Sequence, residues 1–177
     1  MALALSGTSN GSLNNLALSA NTGTIMDTAR AGGIIQVVHQ KYTTTNTIST
    51  TTLTDTGVTA DITPTSTSNK ILIQASIPVQ GFRSSNEAGG GFVCLRDSTT
   101  IYEEVSATGN VRFGQYFAAI GTTTTNWYST IPFTILDSPA STSTLTYKFQ
   151  ASAHNTANGG FIKINASSSA SGGESHL

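Results

Sequence analysis

The chain has 177 residues, and its 8 Lys and Arg against 9 Asp and Glu give a formal net charge of -1. Charged residues make up only 10%, where about 25% is usual, and the basic ones are spread singly, which excludes the phosphate-tracking surface of a nucleic-acid binder. With 37% apolar residues the chain has enough for one core, too little charge for ordinary disorder and too little hydrophobicity for a membrane span, so its surface must consist of hydroxyls and amides.

Residues 1–33 set Leu3, Leu5, Leu13, Leu16, Leu18 and Ile25 among Ser, Asn, Gly and Ala, with two rough echoes, "LALSGTSNG" and "LALSANTG". This composition suits an arm that orders against something outside its own domain. The short apolar run at its start has no basic segment ahead of it, and neither a signal peptide nor a membrane span is expected. From Ile34 onward the pattern has period two, and "IIQVVHQ" is expected to open the first strand.

Between Lys41 and Lys70 about half the residues are Thr or Ser, a composition shared by mucin-like tethers and by polar sheet. Val58, Ala60 and Ile62 alternate there with Thr59, Asp61 and Thr63, and threonine is β-branched, so sheet is expected, with strand, turn and strand leading to a corner at "TPTSTSNK". Next, "KILIQASIPVQ" puts Ile71, Ile73, Ala75, Ile77 and Val79 on one face and Leu72, Gln74, Ser76 and Gln80 on the other. "GGFVCLRD", "VRFGQYFAAI", "NWYSTIPFTIL", "TLTYKFQASAH" and "GGFIKINAS" are further strands; Trp127, Ile131, Phe133 and Ile135 align in one, and Leu145, Tyr147, Phe149, Ala151 and Ala153 in another. Gly, Pro, Asn or Asp mark the turns between them, at residues 63–69, 84–91, 106–110, 121–126, 137–143 and 155–160. No window of a dozen residues has helical spacing. The expected fold is all-β: an antiparallel, jelly-roll-like β-sandwich of eight to ten strands over residues 34–177, with an extended N-terminal arm over 1–33. Strands so lean do not stand alone, and close packing over the whole sandwich with burial against identical subunits is expected.

No catalytic, cofactor or metal motif is supported. "GTSNG" has the form of a nucleophile elbow around Ser9, yet neither the preceding strand nor the following helix is present. Asp55-Thr56-Gly57 matches the aspartic-protease triplet, but Asp-x-Gly is also a turn signal and the following residues do not continue the match, so a turn is expected. His39, His154 and His176 lack metal-ligand spacing, and Glu103 and Glu104 point to opposite faces of one strand; Asp97 or Glu103 with loop carbonyls is a weaker calcium arrangement. Cys94, the sole cysteine, cannot form an intrachain disulfide and is expected to be buried and inert. The sequons at Asn10 and Asn165 mean nothing without a secretory route. Tyr42, Tyr102, Tyr116, Trp127 and Tyr128 sit beside Thr, Ser and Asn, a mixture suited to contacts with glycans or proteins, and equally to structural tyrosines at strand edges. Trp127 and Tyr128 are the pair that would stack on sugar in a carbohydrate-binding module.

The blocks "TPTSTSNKILIQASIPV", "LRDSTTIYEE", "IPFTILDSPASTSTLTYKFQASAH" and "GGFIKINASSSA" together resemble a module of virion structural proteins of tailed phages, mainly marine phages and cyanophages, where it occurs in fibre-like or appendage proteins. The resemblance covers about residues 34–177, and "MALALSGTSNGSLNNLALSA" is similar to the segments that attach such proteins to the particle. It implies a virion location, a homotrimer, other virion proteins of capsid or tail as partners, and no enzyme activity. The family pattern runs a few residues past "GGESHL" in one more apolar strand. A fully extended 33-residue arm reaches only about 110 Å, and no fibre shaft is present. Capsid decoration (cement) or a short head appendage is therefore expected, with a tail-fibre tip or receptor-binding protein for host surface glycan as the alternative.

Overall fold

Strand alternation dominates the residues that the computed structural model describes, 33–85, 88–103, 124–166 and 175–177. The arm leucines, Ile25, Ser9, Asn10, Glu104, Tyr116 and the "VRFGQYFAAI" strand lie outside them. The strands are β1 (Lys41–Tyr42), β2 (Asn46–Ile48), β3 (Thr54–Ile62), β4 (Ile71–Arg83), β5 (Gly90–Arg96), β6 (Thr99–Glu103), β7 (Thr125–Asp137), β8 (Leu145–Ala153), β9 (Phe161–Ile164) and β10 (Ser175–His176). A 3₁₀ turn, Ala157–Gly159, is the only helical element among the described residues, and no helix there is long and apolar enough to cross a membrane.

Every strand pairing is antiparallel. In the first sheet β4 pairs along its whole length with β7, from Ile71 opposite Asp137 to Arg83 opposite Thr125. Its other edge pairs with β9 over Val79–Phe82 and with β10 at Ser76. Beyond these lie β2 and β1, so β1 with β2 forms one interrupted line and β9 with β10 another. The second sheet has the order β3-β8-β5-β6. Among the described residues, the eight lines followed along the chain alternate between the sheets, except that β5 and β6 form a hairpin within the second. That is jelly-roll connectivity, as expected from the turn spacing.

The core lies between the sheets and is filled by the faces that the alternation marks. Ile73, Ala75, Ile77 and Val79 of β4 and Ile131, Phe133 and Ile135 of β7 meet Leu145, Tyr147, Phe149 and Ala151 of β8 and Phe92 and Cys94 of β5. The Phe133 ring is central: its centroid is 4.6 Å from that of Phe149, 5.6 Å from Phe92 and 6.4 Å from Tyr102. Where β4 would crowd β7, Gly81 leaves room for the Trp127 indole; a Cβ there would lie 2.1 Å from Trp127 Nε1.

Two expectations need correction. "IIQVVHQ" does not open a strand: residues 33–40 have no regular secondary structure, and Ile34, Ile35 and Val37 are 79%, 54% and 77% exposed. The chain divides there into two units, 1–37 and 38–177. Pairing starts where a partner becomes available, as Gln40 and Leu177 exchange backbone hydrogen bonds of 2.7 and 2.9 Å. The second correction concerns Asp55-Thr56-Gly57, which is a bulge inside β3 rather than a turn between strands. Asp55 faces Gln150 and Thr59 faces Lys148, so β3 takes four steps against two on β8, with Gly57 at φ +88°. The bulge drives Thr56 inward, where its hydroxyl donates to the Phe149 carbonyl at 2.7 Å and accepts from the Val58 N–H at 3.1 Å. Thr56→Val keeps the shape and removes both bonds, and is expected to cost about 2 kcal/mol. A lower urea midpoint with an unchanged m-value would register that loss.

Candidate functional site

The aromatics singled out by sequence do not gather into one site. Tyr42, half-buried on β1, donates its hydroxyl to the Thr59 carbonyl on β3, tying one sheet to the other. Tyr102 packs edge-on against Phe133. Trp127 and Tyr128 are successive residues of β7 and therefore face opposite sides of the sheet. The Trp127 indole lies over Gly81 and donates to the Ala88 carbonyl at 3.1 Å, whereas Tyr128 is 42% exposed on the outer face. The two rings therefore do not share a stacking platform.

The polar candidates are mostly committed to the fold. Asp55 accepts from Gln150 Nε2 at 2.7 Å and Lys148 Nζ at 3.1 Å. The Gln150 bond, assisted by Lys148 and opposed by slight burial, holds its carboxyl below the usual value. A peptidase dyad needs one carboxyl to keep a proton, and this environment favours the ionised form. Asp97, at φ 55° in the β5–β6 hairpin, accepts from the Thr146 N–H at 2.9 Å and so caps the start of β8. Among the described residues no three His, Cys, Asp or Glu side chains are grouped to hold a metal ion. Asn165 is buried, with its side-chain nitrogen donating to the Thr44 carbonyl at 2.7 Å, a placement that gives a glycan no access. Cys94 is fully buried, and that burial, with the nearby Asp137 charge, pushes its thiol up to about 12. His39 is exposed and His154 half-buried.

One constellation had no sequence signal. Arg96 of β5 reaches Asp137, at the end of β7, through Nη1 to both carboxylate oxygens at 2.9 and 2.7 Å, and the Tyr147 hydroxyl of β8 donates to Asp137 Oδ2 at 2.6 Å. Burial pushes the Asp137 carboxyl up, but the bonds from Tyr147 and Arg96 outweigh it, so Asp137 is held below the usual carboxylate range. The Tyr147 phenol is pushed up by burial and by its bond to Asp137. The three residues clip the ends of the two sheets together. Their separation along the chain, and the absence of any motif between them, hides this from a linear reading.

What stays outward is the face of the first sheet opposite the core. Cross-strand register sets Leu72 beside Leu136, Gln74 beside Thr134, Ser76 beside Pro132, Pro78 beside Thr130, Gln80 beside Tyr128 and Phe82 beside Asn126. Leu72 and Leu136 are 57% and 61% exposed. At the far end Gln80 Nε2 donates to Asn126 Oδ1 at 2.9 Å, Phe82 stacks on Phe161 at 5.1 Å, and Lys163 lies over the Phe161 ring. None of these twelve β4 and β7 residues bears a carboxylate, ammonium, guanidinium or imidazole group. The outer face of the second sheet differs, since it carries Asp55, Asp61 and Lys148.

No protein-family model matches the chain, and no curated protein matches it either.

Proposed function

We propose that the chain is a virion structural protein of a tailed phage, a capsid decoration (cement) protein or short head appendage built from three identical jelly-roll subunits and fastened by residues 1–33. The observation that carries this reading is the broad uncharged outer face of β4 and β7, on which two leucines and a tyrosine are exposed. Such a face suits packing against other protein better than turning over a substrate. The sequence resemblance points the same way, and jelly rolls recur in viral capsids and in lectins, which is support by analogy of fold. Density maps and mass spectrometry of purified particles test it. The protein is expected at capsid threefold or quasi-threefold positions; its absence from the particle sinks the proposal, and density at the tail replaces decoration with the tail-fibre alternative.

That alternative, a tip that binds host glycan, draws on one local observation. Tyr128 is exposed beside Gln80 and Asn126 with Lys163 across β4, an aromatic ring among amide and ammonium donors. If the tip reading holds, Tyr128→Ala lowers affinity for a glycan found by array screening about tenfold, or about 1.4 kcal/mol, while Trp127→Phe leaves it unchanged. An intact chain that binds no glycan on the array removes this alternative.

A further inference from the structure

We infer that residues 33–38 are a processing site for an endopeptidase with an apolar specificity pocket, and that a cut there severs the N-terminal segment while leaving the sandwich folded. Two conditions must meet for such a cut. The enzyme needs large apolar side chains that it can reach, and backbone that it can draw into its own cleft as a strand without first breaking a ladder. Ile34, Ile35 and Val37 are each more than half exposed, and residues 33–40 have no regular secondary structure. Hydrolysis adds one water across the peptide bond on the amino side of one of these residues. It leaves a carboxylate on one product and an ammonium on the other.

The same residue types elsewhere fail the second condition. "ILIQASIPV" at residues 71–79 has the apolar, β-branched character of "IIQVV", but its backbone pairs with β7 on one side and with β9 and β10 on the other. Reaching it requires unfolding of the sandwich, a state that a stable domain populates at about one part in 1,000 or less. Beyond Val38 order returns at once, as Gln40 exchanges backbone bonds with Leu177 and β1 pairs with β10. Among the described residues the buried core begins at Ile48, and Tyr42 is the earliest side chain packed against it. A cut before Val38 therefore leaves every described core residue on one fragment. What the cut does on a particle rests on the reading of residues 1–33 as the fastening arm: it frees the subunit.

The test is limited digestion of the intact chain with thermolysin, which cuts before Ile, Leu, Val and Phe, with new N-termini read by mass spectrometry. Fragments beginning at Ile34, Ile35, Val37 or Val38 are expected, at a rate at least about 1,000-fold above that of any cut within residues 71–79. The clipped chain should melt within about 2 °C of the intact one. Ile34→Ser/Ile35→Ser/Val37→Ser leaves the backbone unpaired but removes the apolar groups, and should slow cutting within residues 33–38 at least about tenfold. Equal survival of the two stretches, an unslowed triple variant, or a clipped chain that melts more than about 5 °C lower each overturns the inference. Thermolysin-treated particles test the arm separately: a clipped sandwich that stays on the particle sinks the fastening reading and leaves the processing site standing.

Discussion

Phe149→Ala is expected to lower stability by about 4 kcal/mol. Phe149 is 0% exposed, lies on the inner strand β8 between β3 and β5, and packs at 4.6 Å on Phe133 of the opposite sheet. Truncation therefore opens a cavity in the middle of the inter-sheet layer, bordered by Phe133 and by β-strands that cannot collapse into it. The backbone carbonyl of Phe149 also holds Thr56, so movement of β8 here disturbs the β3 bulge. Against a typical total of about 5–15 kcal/mol, such a loss leaves a marginal fold. Calorimetry should show the melting temperature falling by roughly 10 °C or more, given about 2–4 °C per kcal/mol for a chain of this size. A fall of only a degree or two would mean that Phe149 does not occupy the core as described.

Removing the Asp137 carboxylate is the second large perturbation. Asp137→Ala strips Arg96 and Tyr147 of their shared acceptor at the edge of the core, where Asp137 is only 11% and Arg96 22% exposed as side chains, and is expected to cost about 3 kcal/mol at neutral pH. The sign of the pH dependence follows from the direction of the shift. Asp137 is held below its ordinary value in the folded state, so its contribution is complete above the unfolded pKa of about 3.9 and is lost as pH falls through the lower folded value. Urea midpoints of the wild type should therefore drop as pH falls below about 4, and Asp137→Asn should flatten that drop. Asp55 shifts in the same direction, but it is more than half exposed and its ion pair is screened by solvent, so it adds little. Identical acid profiles for wild type and Asp137→Asn would mean that the clip does not contribute as described.

Much of the fold was legible because the strands that build the core alternate cleanly. Ile73, Ala75, Ile77 and Val79, and likewise Leu145, Tyr147, Phe149 and Ala151, are buried at every second position, as period two requires. The hydroxyl-rich stretch from Lys41 to Lys70 resolves into β1, β2 and β3 for the same reason. Leu72, Gln74, Ser76 and Gln80 were also legible as the opposite face of β4, although Gln80 is almost covered by its neighbours. What stayed hidden depends on pairing between distant segments. The Asp55-Thr56-Gly57 bulge exists only against the register of β8, and no local pattern separates it from a turn. The Arg96–Asp137–Tyr147 clip arises from the stacking of the sheets. Trp127 and Tyr128 illustrate the opposite failure, since strand alternation already forbids their acting as one platform. The apolar residues Ile34, Ile35 and Val37 have the composition of a strand, but composition does not supply a ladder partner.

The proposed function has this jelly roll work by assembling with copies of itself. Light scattering on the intact chain at micromolar concentration tests that claim most directly. A single species at three times 18.3 kDa is the predicted result, and a single species at 18.3 kDa would contradict it.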